Sequence, residues 1–337
     1  MRKPVLTSFG VLIGTLIFAL AIISLFRFVA QAKSKAAKTA ASPHATVATA
    51  PGFPLHFRDA FGREIVLPAP PQRIVSLAPS LTELIFALGA GDRIVADTTY
   101  CIHPPEAIAK TKIGGIMDPD MEKMLGLHPD LVVGSGLTPQ EVVRQIDRLN
   151  IHAAYFRHTS IESVYRDTVD LATLLGLRER GEKIVADMRQ RGEALTKQLQ
   201  SLPPGPRPKV LLLLRINGLY SAGKGSFPHE LIQLAGGDNI AAQAATMWPQ
   251  LAMETVIQNN PDVILVAIGK GKVDGDFLQK EWLRMRVDPR WSKIKAVANN
   301  RLVLVPDDLL TIPGPRLMEA AEIIAYGLHP ELAPAKR

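Results

Sequence analysis

Two segments far apart in this chain share one pattern, and that repetition limits the fold more than any other feature. Residues 122–133 read Glu122-KMLGLH-Pro129-Asp130-LVV, and residues 254–266 read Glu254-TVIQNN-Pro261-Asp262-VILV. Each places a glutamate, six residues, Pro-Asp and then an apolar run of buried-strand type. A second pair, ELIFALGAGD (83–92) and ELIQLAGGD (230–238), agrees apart from one residue of length. The pairs predict two lobes that are versions of one α/β unit. The plainer alternative is that helix–loop–strand units share caps and Pro-Asp turns by chance. If the lobes are related, Glu122 and Glu254 occupy equivalent places near the start of a short helix, where the helix dipole favours an acid. As a pair they put one carboxylate on the rim of each lobe, suited to a partner with two basic sites.

The rest of the chain supports an α/β layout. FPLHFRDAFGREIVL (53–67) alternates around Asp59-Ala60-Phe61-Gly62 and predicts a hairpin. RIVSLAP, RIVAD, LVVGS, AAYF, KVLLLLR, DVILVAI and RLVLVP read as buried strands, most of them separated by helices, so the sheets should be largely parallel. Ser80-Leu81-Thr82-Glu83 reads as a capping box. Asp118 and Asp120, flanking Pro119, read as the cap and first turn of a helix rather than a metal site. Ser160 to Leu202 has a helical apolar period and is ended by SLPPGPRP. The expected divisions are an N-terminal segment (1–30), a flexible tether (31–52), an α/β lobe (53–159), a helical connector (160–202) and a second α/β lobe (208–330).

Residues 4–26 carry no charge, and about 20 apolar residues suffice to cross a bilayer core. The segment therefore reads as a membrane anchor, with a cleaved signal peptide as the rival because Ala30-Gln31-Ala32 offers a cleavage site. Either sends the remainder out of the cytoplasm, and the anchor would hold it at the inner membrane. The net charge is +7, yet six basic residues and no acid lie within residues 1–38, leaving the globular part at about +1. A nucleic-acid role gains nothing from that balance. Cys101 is the single cysteine, so no intrachain disulfide forms, and it reads as a small buried apolar residue.

Motifs for enzymes are missing or broken. Gly218-LYSA-Gly223-Lys224 follows a strand but continues with Gly225 where a phosphate-binding loop needs Ser or Thr for magnesium. The eight histidines are scattered, without H-E-x-x-H or G-x-S-x-G. The reading is a binding protein without a cofactor of its own; a membrane-anchored scaffold and an enzyme are the alternatives from other classes.

Stretches 73–95, 100–107, 114–133, 221–240, 247–266 and 306–321 resemble, in order, the helical-backbone metal-receptor family, the periplasmic cobalamin- and iron-siderophore-binding proteins of ABC importers. The resemblance implies two α/β lobes joined by one long helix, a ligand in the cleft between them, and permease and ATPase subunits as partners. It maps permease docking onto Glu122 and Glu254. It maps ligand contacts onto Pro79, Ser80, Tyr100, Ile116, Tyr220, Trp248 and Asp308, and makes a corrinoid such as cobalamin the leading ligand. Two rings expected by that comparison are replaced, by Ile116 and Leu309. Fewer broad apolar faces leave room for another iron chelate. A siderophore would call on cleft cations such as Arg215; haem would need an axial ligand, for which Tyr100 and His103 are the candidates.

Overall fold

The computed structural model describes residues 52–216, 218–269 and 275–334. The apolar run 4–26 and the tether lie outside them. No helix among the described residues is long and apolar enough to cross a membrane.

The hairpin forms as expected. Strands β1 (Leu55–Arg58) and β2 (Glu64–Leu67) pair antiparallel. Asp59 shapes the turn by accepting from the amides of Phe61 and Arg63, and it pairs with the Arg63 guanidinium. The first lobe then runs β3 (Ile74–Ser76), α1 (Pro79–Ala87), β4 (Ile94–Asp97), α2 (Met121–Gly126), β5 (Leu131–Ser135), α3 (Gln140–Arg148) and β6 (Ala153–Phe156). Two helices follow, α4 (Ile161–Leu174) and α5 (Arg178–Gln200). The second lobe is β7 (Lys209–Leu213), α6 (Phe227–Leu234), β8 (Asp238–Asn239), α7 (Met253–Asn259), β9 (Val263–Ile268), α8 (Gly275–Val287), α9 (Lys295–Ala298), β10 (Leu302–Pro306), α10 (Asp307–Thr311) and α11 (Leu317–Leu328).

Both four-stranded sheets are wholly parallel, ordered β4-β3-β5-β6 and β10-β9-β7-β8. Setting β3 to β6 against β7 to β10 gives one and the same order, so the internal repeat is a repeat of topology. Each sheet has an apolar cluster on both faces, which is why its strands read as continuous hydrophobic runs.

The repeat extends to backbone detail. Asp130 accepts from the amides of Gln72 and Arg73 at the entry to β3; Asp262 accepts from the Lys209 amide at the entry to β7. The Pro-Asp pairs thus tie each central strand to its neighbour. His128 and Asn260, each just before the proline, both adopt the left-handed conformation, at φ 47° and 46°. Gly89 and Gly236 end α1 and α6 at φ 73° and 80°, a conformation in which glycine bears no Cβ penalty.

The stretch 160–202 forms two helices. The expected long helix is α5, with 23 residues, and α4 packs along it. Contacts of Gly181 with Thr168 and Ala172, and of Arg189 with Glu162, make the pair antiparallel. A Cβ at Gly181 would lie 2.5 Å from the Cβ of Ala172, so glycine sets this close approach. Along α4, Val164 and Tyr165 belong to the core of the second lobe, while Leu171, Ala172 and Leu174 belong to that of the first. The helices therefore form a spine embedded in both lobes.

One local expectation fails. Pro79 begins α1 and Ala78 is its cap, with no side-chain cap bond, so Ser80-Leu81-Thr82-Glu83 is not a capping box. Proline's fixed φ starts the helix one residue early, and the Glu83 carboxylate is drawn to Arg316. Asp120, rather than Asp118, caps α2 by accepting from the Lys123 amide, so this helix starts two residues later than expected and Pro119 lies before it.

Candidate functional site: the rims of an interlobe cleft

In parallel α/β sheets ligands bind beyond the carboxyl ends of the strands. Here those ends of the two sheets are brought together. The Ser80 carbonyl lies 3.8 Å from where a Gly314 Cβ would be. Arg316, just before α11, forms two hydrogen bonds of 2.8 and 2.9 Å with Glu83 of α1 and one of 2.7 Å with Asp308. The repeat-equivalent of Glu83, Glu230 on α6, crosses in the other direction and accepts from the Ile161 amide at the start of α4. Each lobe thus sends one glutamate to the helix that follows the other lobe's sheet.

Glu83 is buried, and burial pushes its carboxyl up while Arg316 pulls it down. Burial also works against the Arg316 charge, but Glu83 and then Asp308 outweigh it and hold that group high. Two carboxylates share this single guanidinium, so one negative charge is left in excess beside the buried Glu83, and burial holds its carboxyl above the usual range. A cavity of about 430 Å³ opens beside this group, lined by Glu83, Phe86, His103, Pro104 and Arg316 among others. His103 therefore lies at the flank of the interlobe ion pair.

On the first lobe, Tyr100 (58% exposed) follows β4 and packs beside Gly115, next to half-buried Ile116. Its loop is fixed from below. The Lys112 ammonium donates to Asp97 at 2.7 Å, to the Cys101 carbonyl at 2.8 Å and to the Ala107 carbonyl at 2.9 Å. Thr82 links Ser76 to the Cys101 thiol in the same buried network. Burial pushes both the Asp97 carboxyl and the Cys101 thiol up, and Lys112 opposes the first. Cys101 is buried, as expected, and points its sulfur into this network.

On the second lobe, Tyr220 and Trp248 (50% exposed) stand on neighbouring loops joined by a bridge between Tyr220 and Gln250. Arg215 is exposed on the same loop and bridges to Tyr220 through its backbone. Gly223 lies where a Cβ would meet the carbonyls of Ala241 and Thr246 at 3.0 and 2.9 Å, so this glycine serves close chain packing. Trp248 and Ile116 each precede the repeat glutamate by six residues, and the shared topology makes them equivalent positions in the two lobes.

The fold therefore gathers Tyr100 with Ile116, and Tyr220 with Trp248. Pro79 and Ser80 lie deeper, at the start of α1, where Ser80 is buried beneath the second lobe. Asp308 is engaged by Arg316. Leu309 is buried in the second core and is no rim position. Sequence reasoning missed Leu137, 75% exposed just past the end of β5, and Met117 beside Ile116. The signal was an apolar residue standing alone in a Gly/Ser/Thr loop after a buried strand. Glu122 and Glu254 are exposed on α2 and α7, one per lobe.

Two repeated α/β lobes on a shared helical spine, each with exposed aromatic residues on a loop beyond its sheet, are the architecture of a solute-binding receptor. Residues 74–309 match the periplasmic binding protein family, and the chain belongs to it. Among its relatives is an uncharacterized ABC transporter substrate-binding lipoprotein, YvrC, of Bacillus subtilis, 28% identical over 83% of this chain and 87% of that one. Similar solved structures include the periplasmic vitamin B12 binding protein BtuF of Vibrio cholerae, with 26% identity, a TM-score of 0.66, and 77% and 97% of the two chains covered. The periplasmic heme-binding protein RhuT of Roseiflexus sp. RS-1 is similar to the same degree, with 27% identity, a TM-score of 0.66, and coverage of 78% and 99%.

Proposed function

We propose that this chain captures a corrinoid, cobalamin or a close relative, outside the cytoplasm and hands it to the permease of an ABC importer. The observation that carries the reading is a pair of exposed apolar groups, Tyr100 near Ile116 on the first lobe and Tyr220 near Trp248 on the second, of which Ile116 and Trp248 are repeat equivalents. Broad apolar faces suit a flat macrocycle with a polar edge. The likeness to a vitamin B12 binding protein adds to it. Pro79 and Ser80 would contribute from the cleft floor. Asp308 would act through Arg316, by holding the floor together. Glu122 and Glu254 would dock the two lobes on basic sites of the permease. The N-terminal apolar run would tether the receptor to the membrane.

Haem is the second reading, favoured by the exposed Tyr100 hydroxyl and the likeness to RhuT. Equilibrium dialysis of the purified chain against cyanocobalamin, haemin and a ferric siderophore tests both. Retention of cyanocobalamin alone is the expected result. Retention of haemin, with a visible spectrum that changes on Tyr100→Phe, would replace the corrinoid reading.

A further inference from the structure

Each docking helix carries a second exposed feature at the same place. Leu125 stands three residues after Glu122 and is 37% exposed; Ile257 stands three residues after Glu254 and is 46% exposed. That spacing puts the aliphatic side chain on the same face as the carboxylate, one turn away. Core packing does not ask for them: the preceding residues, Met124 and Val256, are fully buried and face the two sheet cores. Single exposed apolar residues need no explanation, but the same one beside the same acid in both lobes does. Neither Glu122 nor Glu254 has a hydrogen-bond or ion-pair partner among the described residues.

We infer that Leu125 and Ile257 are apolar anchors of the docking surface, each entering a pocket next to a cationic side chain on one membrane-embedded partner. The inference rests on the docking role proposed above for Glu122 and Glu254. A carboxylate flanked by an aliphatic group calls for a cation flanked by an apolar pocket. Two copies related by the repeat call for a partner that presents that surface twice.

The test places a photo-crosslinking amino acid at Leu125 or Ile257 of the full chain in its own cells and identifies the captured peptide by mass spectrometry. Leu149 and Leu304, also exposed and apolar, serve as controls. Both anchors should capture the same integral-membrane polypeptide, about fivefold or more above the controls, as a contact of interface quality implies. Capture of different proteins, or none, overturns the inference. Probes at Glu122 and Glu254 separate the two ideas. Capture there but not at the anchors removes only the apolar contact, whereas silence at all four positions removes the docking role itself. In the same cells Ile257→Ser should lower capture by a Glu254 probe and Leu125→Ser should lower capture by a Glu122 probe; capture unchanged by both would contradict the apolar anchors.

Discussion

At the scale of single residues, two buried carboxylates, Asp97 and Glu83, each depend on one basic partner. Lys112 supplies the only cation bonded to Asp97 among the described residues and also ties down the loop bearing Tyr100. Lys112→Met leaves Asp97 buried and unpaired, which costs about 3–5 kcal/mol. A fall in the thermal midpoint, together with weaker ligand binding, is the expected result; an unchanged midpoint would show the network to be incidental. Glu83 makes a pH-dependent contribution. With its folded value raised above 4.5, this acid holds its proton more tightly in the folded state. Its contribution to stability is fully present below the unfolded value and is lost as pH rises through the folded one. Glu83→Gln should therefore flatten the decline of thermal midpoint with pH above 4.5, measured by calorimetry, and a curve parallel to the parent would refute the raised value. Neither role was legible in the sequence. Arg316 lies 233 positions from Glu83, and a local reading could only offer Glu83 a capping box.

At the scale of elements, periodicity and punctuation carried far. Seven apolar runs foretold seven strands, and Pro-Asp marked two of them before any geometry was known. The eighth strand of the two sheets, Asp238–Asn239, is two residues long and has no pattern to read. The spine illustrates a different limit. Helical period alone does not disclose that Ser160–Leu202 turns back on itself, because the break at Gly176 depends on a left-handed φ of 70° and on Gly181 fitting against Ala172. Gly181→Val should separate α4 from α5 and lower stability by about 1–3 kcal/mol, the usual cost of overpacking. Urea unfolding would measure it; no change would mean that the helices have slack. Because both helices are embedded in both cores, this substitution should weaken the two lobes together, giving one transition rather than two.

At the scale of the whole molecule, the internal repeat had the greatest reach. It foretold two related lobes, and the equal strand orders, the paired αL residues and the crossed glutamates Glu83 and Glu230 are its structural content. The proposed contact residues were legible in part: the equivalence of Ile116 and Trp248 follows from the repeat, while the exposure of Leu137 and Met117 has no counterpart in any sequence pattern. The depth of Ser80 and the pairing of Asp308 depend on how the lobes meet, which no local pattern encodes. In the proposed function, one flat ligand is gripped by the exposed rings of both lobes at once. Isothermal titration of cyanocobalamin into the purified chain, Tyr100→Ala and Trp248→Ala tests it most directly. One ligand per chain is expected, with each substitution weakening binding about tenfold or more, as loss of an aromatic contact buried by the ligand requires. Binding that survives both substitutions unchanged, or no heat from the parent chain at all, would contradict it.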